Sequence, residues 1–208
     1  MKIEENERIL FQGDSVTDVG RIRKEEDSLG FGYPMMVASW FAAKYPEMNV
    51  HFLNRGNSGE SIKHLEIRWK EDCLDLKPTM VSILIGINDC WRKFDQNEPT
   101  TPAQFECSYR NLLDKIKKQG IKKIIMLEPF VLPVTPDRKA WREDLDPKIH
   151  VIRELARQYR ATLIPLDGIF SAASVLKPST FWTVDGVHPT NAGHALISRQ
   201  WLKTVNAI

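Results

Sequence analysis

Four short segments carry residues that could do chemistry together: Gly13-Asp14-Ser15, Asn54-Arg55-Gly56-Asn57-Ser58-Gly59, Gly86-Ile87-Asn88-Asp89 and Asp185-Gly186-Val187-His188-Pro189. The first supplies a hydroxyl, and the last supplies an acid and an imidazole three residues apart. A serine hydroxyl is a poor nucleophile until a base removes its proton, and that base needs an acid on its other ring nitrogen to hold one tautomer. Ser15, His188 and Asp185 fit the roles of nucleophile, base and orienting acid. Pro189 disfavours helical backbone at His188, which keeps the imidazole in an extended loop. Attack on an acyl carbon builds negative charge on the carbonyl oxygen, and preorganised donors must meet it. The Ser15 N–H, the Gly56 N–H (glycine lacks a Cβ and can approach closely) and the Asn88 side-chain amide are the three candidates.

Each of these residues has a plainer reading as well. Taken alone, Ser15 is a turn cap, Asp185 and His188 a surface ion pair, Gly56 a turn glycine and Asn88 an Asx-turn residue. Four such segments in one chain favour the chemistry. His194 falls inside an expected helix and reads as a packed or surface histidine, and Asp14 and Asp89 read as anchors of their own loops. The text Gly56-Asn57-Ser58-Gly59 hints at a nucleophile elbow, but the G-x-S-x-G pattern fails at Glu60. Trp91, Arg92, Tyr33 and Trp182 adjoin the motif segments and are candidates for substrate contact, with core packing as the alternative. No metal-ligand spacing is present, Gly30-Phe31-Gly32 lacks the third glycine of a dinucleotide fingerprint, and no phosphate loop occurs, so neither metal nor cofactor is expected.

To converge, these segments need a scaffold that gathers loops at one edge. Short aliphatic runs alternate with stretches of helical period, the pattern of parallel strands joined by crossover helices, and the expected class is α/β. Expected strands are Arg8–Gln12, Val50–Asn54, Met80–Ile85, Lys123–Leu127 and Thr162–Pro165. Expected helices lie near Tyr33–Lys44, Ile62–Asp75, Pro102–Gln119, Lys148–Arg160, Gly168–Val175 and Asn191–Val205, with Pro102 opening one and Gly120 closing it. In an open parallel sheet, ligands bind outside the carboxyl ends of the strands, where three of the motif segments fall. Two long loops, 89–101 and 129–147, fit either a lid within one chain or a lip between the chains of a homo-oligomer.

Composition bounds the setting. The chain has 208 residues, and one domain spanning 1–208 is expected, with no linker-like stretch inside it. Lys+Arg 29 against Asp+Glu 27 gives a net charge of +2, too small to imply a nucleic-acid partner or an anionic membrane surface. The cluster Lys115, Lys117, Lys118, Lys122 and Lys123 reads as a solvated helix end. The amino terminus lacks the apolar stretch of a secretory signal, and no apolar run approaches membrane-spanning length. Cys73, Cys90 and Cys107 are odd in number and evenly separated by 17 positions, which suits free thiols in a cytoplasmic protein.

The four segments, in this order and spacing, resemble the conserved blocks of the GDSL/SGNH hydrolase superfamily. The resemblance implies a flavodoxin-like three-layer α/β/α sandwich on a five-stranded parallel sheet. It also implies ester hydrolysis by Ser15, Asp185 and His188, with Ser15, Gly56 and Asn88 as oxyanion donors. Gly86-Ile87-Asn88-Asp89-Cys90-Trp91-Arg92 and Arg68-Trp69-Lys70-Glu71-Asp72 are further similar to the intracellular bacterial acetylxylan esterases of that superfamily, which implies an acetylated sugar or xylo-oligosaccharide as substrate. A lysophospholipase or acyl-thioesterase of the same fold, or a silent binding module, are the alternatives.

Overall fold

Ile9 and Phe11 of strand β1 (Arg8–Gly13) face one side of the sheet and Leu10 the other, and all three are fully buried. A strand apolar on both faces must be covered on both. The computed structural model describes residues 1–208 and shows how the chain does this. After β1 come α1 (Ser15–Asp18), α2 (Tyr33–Lys44), β2 (His51–Gly56), α3 (Ile62–Trp69), β3 (Met80–Leu84), α4 (Ile87–Asp95) and α5 (Pro102–Lys118). The second half runs β4 (Lys123–Leu127), α6 (Pro136–Ala140), α7 (Arg142–Tyr159), β5 (Thr162–Ile164), α8 (Leu166–Leu176), α9 (Ser179–Trp182) and α10 (Asn191–Thr204).

The five strands are all parallel, in the order β2-β1-β3-β4-β5. This is a doubly wound sheet whose winding reverses between β1 and β3, and the carboxyl ends there open a crevice. On one face α2, α8 and α10 pack on Ile9, Phe11 and their neighbours; on the other α3, α5 and α7 pack on Leu10, Leu53 and Ile83. The Phe11 ring is central to the first layer. It meets Tyr33 edge-on at 5.6 Å, stacks on Phe52 at 6.2 Å and leans on Trp201 at 5.4 Å. The Trp201 indole N–H donates to the otherwise costly buried hydroxyl of Ser82 at 3.0 Å.

The two expected long loops are largely helical instead. α4 occupies the start of 89–101, while α6 and the first turn of α7 occupy the later part of 129–147. The physical reason is a third apolar cluster, in which Ile87 and Cys90 of α4 meet Val131, Trp141, Leu145, Ile149 and Val187. Helix α7 accordingly begins at Arg142 rather than Lys148 and runs through Pro147. Burial of Leu145, Ile149, Ile152 and Leu155 offsets the single backbone bond that proline forfeits. No helix is long and apolar enough to cross a membrane.

Replacing Phe11 with alanine removes the ring shared by three aromatic partners. The substitution is expected to cost about 3–5 kcal/mol of unfolding free energy, measured by urea denaturation. A loss below about 1 kcal/mol would show that this layer repacks freely.

Candidate active site

The crevice above β1 is built first by its own strand end. Asp14 caps α1, its carboxyl accepting the Val16 N–H at 3.0 Å, and this places Ser15 at the first helical position facing outward. The loop before α10 brings the imidazole to it: Ser15 Oγ lies 3.0 Å from His188 Nε2. On the far side of the ring, His188 Nδ1 lies 2.7 Å from Asp185 Oδ2. Since an ionised carboxylate only accepts, Nδ1 carries the proton and Nε2 is left as an acceptor for the serine proton.

Asp185 is itself held by its own chain, its Oδ1 accepting the N–H groups of Val187 at 3.0 Å and His188 at 2.8 Å. Burial alone would raise its pKa. The hydrogen bonds from the His188 ring, the His188 N–H and the Val187 N–H outweigh burial and hold it well below the usual carboxylate range. The hydrogen bond to Asp185 in turn raises His188 above the ordinary imidazole value, against the opposing effect of burial. Asp14 and Asp89 behave oppositely. Burial pushes Asp14 up to about 7 and Asp89 up to about 6, because each accepts too few hydrogen bonds to offset desolvation. Asp89 anchors more than its own loop, accepting the Ile62 N–H at 2.9 Å and so tying α4 to the start of α3.

The structure corrects one expected donor. The Gly56 N–H is already engaged, donating to Asn54 Oδ1 at 2.8 Å, and Gly56 does not line the cleft. A glycine is required there because a Cβ would strike the backbone of Thr17 and Asp18. Gly59 takes the place by the cleft. It has φ +80°, its N–H meets no acceptor within the chain, and it lines the cleft beside Ser15 and Asn88. The turn carrying it is pinned from three sides: Asp18 Oδ2 accepts the Ser58 N–H at 2.9 Å and its hydroxyl at 2.8 Å, Arg92 donates to Gly59 O at 2.9 Å, and Asn88 Nδ2 donates to Glu60 O at 3.0 Å. The second Asn88 amide hydrogen and the Ser15 N–H remain unengaged. The sequence signal for Gly59 is its place in Asn57-Ser58-Gly59-Glu60, just after the Asn54-Arg55-Gly56 end of β2.

The cleft has a volume of about 550 Å³, and polar side chains are placed along it beside the apolar Val19 and Trp91. Trp91 and Arg92 line it, joined by Ser58, Asp95 and Gln96. Tyr33 and Trp182 do not. Tyr33 is fully buried, bonded to Thr17 Oγ1 at 3.1 Å, and Trp182 packs against the α2–α10 layer with its indole N–H on Ala173 O at 3.1 Å. His194 borders the cleft but is buried, accepts the Tyr33 N–H at 3.2 Å, and is lowered to about 4 by burial, with the nearby His188 adding to this. It is neutral at physiological pH, and its Nδ1 is occupied by the Tyr33 N–H. No group of three or more His, Cys, Asp or Glu side chains is arranged to hold a metal ion. The assembled groups can pass a serine proton to an imidazole and meet an oxyanion with free N–H donors.

Comparison with known proteins agrees in kind. Residues 11–196 match the GDSL-like lipase/acylhydrolase family. An acetylxylan esterase from Geobacillus stearothermophilus is 34% identical over 215 residues, covering 99% of this chain and 96% of that protein. The crystal structure of Axe2, an acetylxylan esterase from the same organism, superposes with a TM-score of 0.89 at 32% identity, covering 99% and 96% of the two chains. An α/β hydrolase enzyme from the metagenome of Lake Arreo superposes with a TM-score of 0.87 at 28% identity, covering 99% and 97%.

The two glycines separate by substitution. Gly56→Ala forces a Cβ into backbone and is expected to cost about 3 kcal/mol or more. Gly59→Ala meets open space and is expected to cost only the strain of its positive φ, about 1–2 kcal/mol. Urea unfolding of both variants checks the order, and a costlier Gly59→Ala would contradict it.

Proposed function

Since this chain belongs to the GDSL-like lipase/acylhydrolase family and is a carboxylic ester hydrolase, we propose that it removes acetyl groups from acetylated sugars or xylo-oligosaccharides through Ser15, His188 and Asp185. The observation that carries the reading is the unbroken hydrogen-bonded line from Ser15 Oγ through His188 to Asp185, at 3.0 and 2.7 Å, beside free N–H donors in the cleft.

Ser15 Oγ attacks the acyl carbon as its proton passes to His188 Nε2. The carbonyl oxygen becomes an oxyanion facing the Ser15 N–H, the Gly59 N–H and the Asn88 amide. As this intermediate collapses, the His188 Nε2 proton goes to the departing sugar oxygen, and the acyl group stays on Ser15. Water then attacks the acyl carbon, giving its proton to His188, and the second collapse returns that proton to Ser15 Oγ and releases acetate. Asp185 holds the ring in one tautomer and stabilises each imidazolium without taking its proton.

The acetyl preference is supported by the lining of the cleft. Ser58, Arg92, Asp95 and Gln96 place hydrogen-bonding groups where a hydroxylated sugar would sit, which a lysophospholipase or long-chain thioesterase would not need. Trp91 offers a flat face to a sugar ring.

The deciding experiment is acetate release from acetylated xylo-oligosaccharides beside p-nitrophenyl acetate and octanoate, for the wild type and Ser15→Ala. Release from the oligosaccharide and the acetate ester, abolished in Ser15→Ala, is expected. Preference for octanoate would overturn the acetyl reading, and no turnover at all would leave a binding module. The pH profile is a second check. His188 acts as base only when neutral and its pKa is raised by Asp185, so kcat/KM is expected to fall as pH drops through a value above 6.5. A rate flat from about pH 8 to pH 5 would remove His188 from that role.

A further inference from the structure

The Asp185–His188 loop is closed at its base by the Thr183–Pro189 bridge and by the Val184 N–H on His188 O at 2.8 Å, but its position against the rest of the fold depends on neighbours outside itself. Two ties reach it from the segment between β4 and α7. Leu132 donates its N–H to Gly186 O at 2.8 Å, and Arg138 on α6 donates Nε–H to Asp185 O at 3.1 Å. The Arg138 side chain is only 13% exposed. Its guanidinium carbon lies 3.8 Å from the centre of the Trp141 ring and 4.6 Å from that of Trp91, and the two indoles touch each other at 5.0 Å. Trp91 in turn lies 5.8 Å from the His188 ring. The one carboxylate partner of Arg138 is the mostly exposed Asp137, at 3.0 Å.

Desolvating a guanidinium is costly, and an apolar side chain would fill the space over two indoles without that cost. What an apolar side chain could not do is donate to the Asp185 carbonyl. The planar fork is rigid and its stacking on both rings leaves little freedom, so Arg138 fixes the height of Asp185 relative to α4, the helix that also carries Asn88. We propose that Arg138 is a positioning residue, clamping the Asp185–His188 loop to the Trp91–Trp141 pair so that the imidazole stays seated on Ser15. The proposal rests on the Ser15–His188–Asp185 reading above, through which Arg138 acts.

The test is a double-mutant cycle with p-nitrophenyl acetate. Arg138→Met keeps the apolar stem over the indoles and removes the donor and the charge; it is made in the wild type and in Asp185→Asn, with thermal unfolding recorded for each. In the wild type, kcat is expected to fall about 10- to 100-fold, the scale of a 1 Å misplacement, with KM changed less than about twofold. In Asp185→Asn, which has already lost the orienting contact, the same substitution is expected to lower kcat less than about twofold further. An unchanged kcat in Arg138→Met, or an equal loss in both backgrounds, would overturn the role of Arg138 while leaving the triad standing. Wild-type activity in Asp185→Asn would overturn the triad and this proposal with it. If Arg138→Met does not fold, Arg138→Lys, which keeps stem and charge but has no planar fork, carries the same cycle with the same criterion.

Discussion

Asp185 accepts hydrogen bonds from three donors on its own short loop, the His188 ring and the N–H groups of Val187 and His188, at 2.7 to 3.0 Å. One carboxylate thereby folds the loop, orients the imidazole and keeps the negative charge that an imidazolium would need. The arrangement works only while the carboxylate is ionised, and the three hydrogen bonds together secure this against burial. Because the loop is ordered from within, the rest of the protein need only seat it. The third apolar cluster does so through Val187, and the ties from Leu132 and Arg138 set its height.

The other carboxyl groups at the carboxyl edge of the sheet show the cost of lacking such donors. Asp14 and Asp89 are as deeply placed as any residue in the molecule, and burial pushes Asp14 up to about 7 and Asp89 up to about 6. Their work is mechanical. Asp14 starts α1 and so aims Ser15, and Asp89 fastens α4 to α3 and so aims Asn88. A carboxyl can accept the backbone N–H each of them uses whether or not it is ionised, so the anchors hold in either protonation state.

Much of the scaffold is legible in the residue pattern. The strand cores Ile9–Phe11, Ile83–Leu84 and Ile124–Met126 are apolar on successive residues, which fits a sheet covered on both faces, and such sheets are typically parallel with helical crossovers. Helices α5 and α10 carry their own start signals, Thr101 with Pro102 and Thr190, and Pro34 sits in the first turn of α2. The helices α4 and α6 and the early start of α7 do not. Their stability comes from Ile87, Cys90, Trp141 and Leu145 meeting across more than fifty residues of chain, and no local window contains that contact.

The same division runs through the site. The types and order of Ser15, Asn88, Asp185 and His188 follow from sequence, because each role demands a particular functional group and Pro189 and the strand ends limit where it can sit. Which glycine turns an N–H to the cleft does not follow from sequence. Gly56 and Gly59 are equivalent as text, and only the approach of α1 to β2 and the capture of the Gly56 N–H by Asn54 distinguish them. Nor can sequence say that Tyr33 is swallowed by the Phe11 layer while Trp91 stays at the cleft, since an aromatic beside a motif serves either end. Chemistry is a property of side chains and can be read one residue at a time; direction, burial and freedom of a donor are properties of neighbours far apart in the chain, and only the packed tertiary structure decides them.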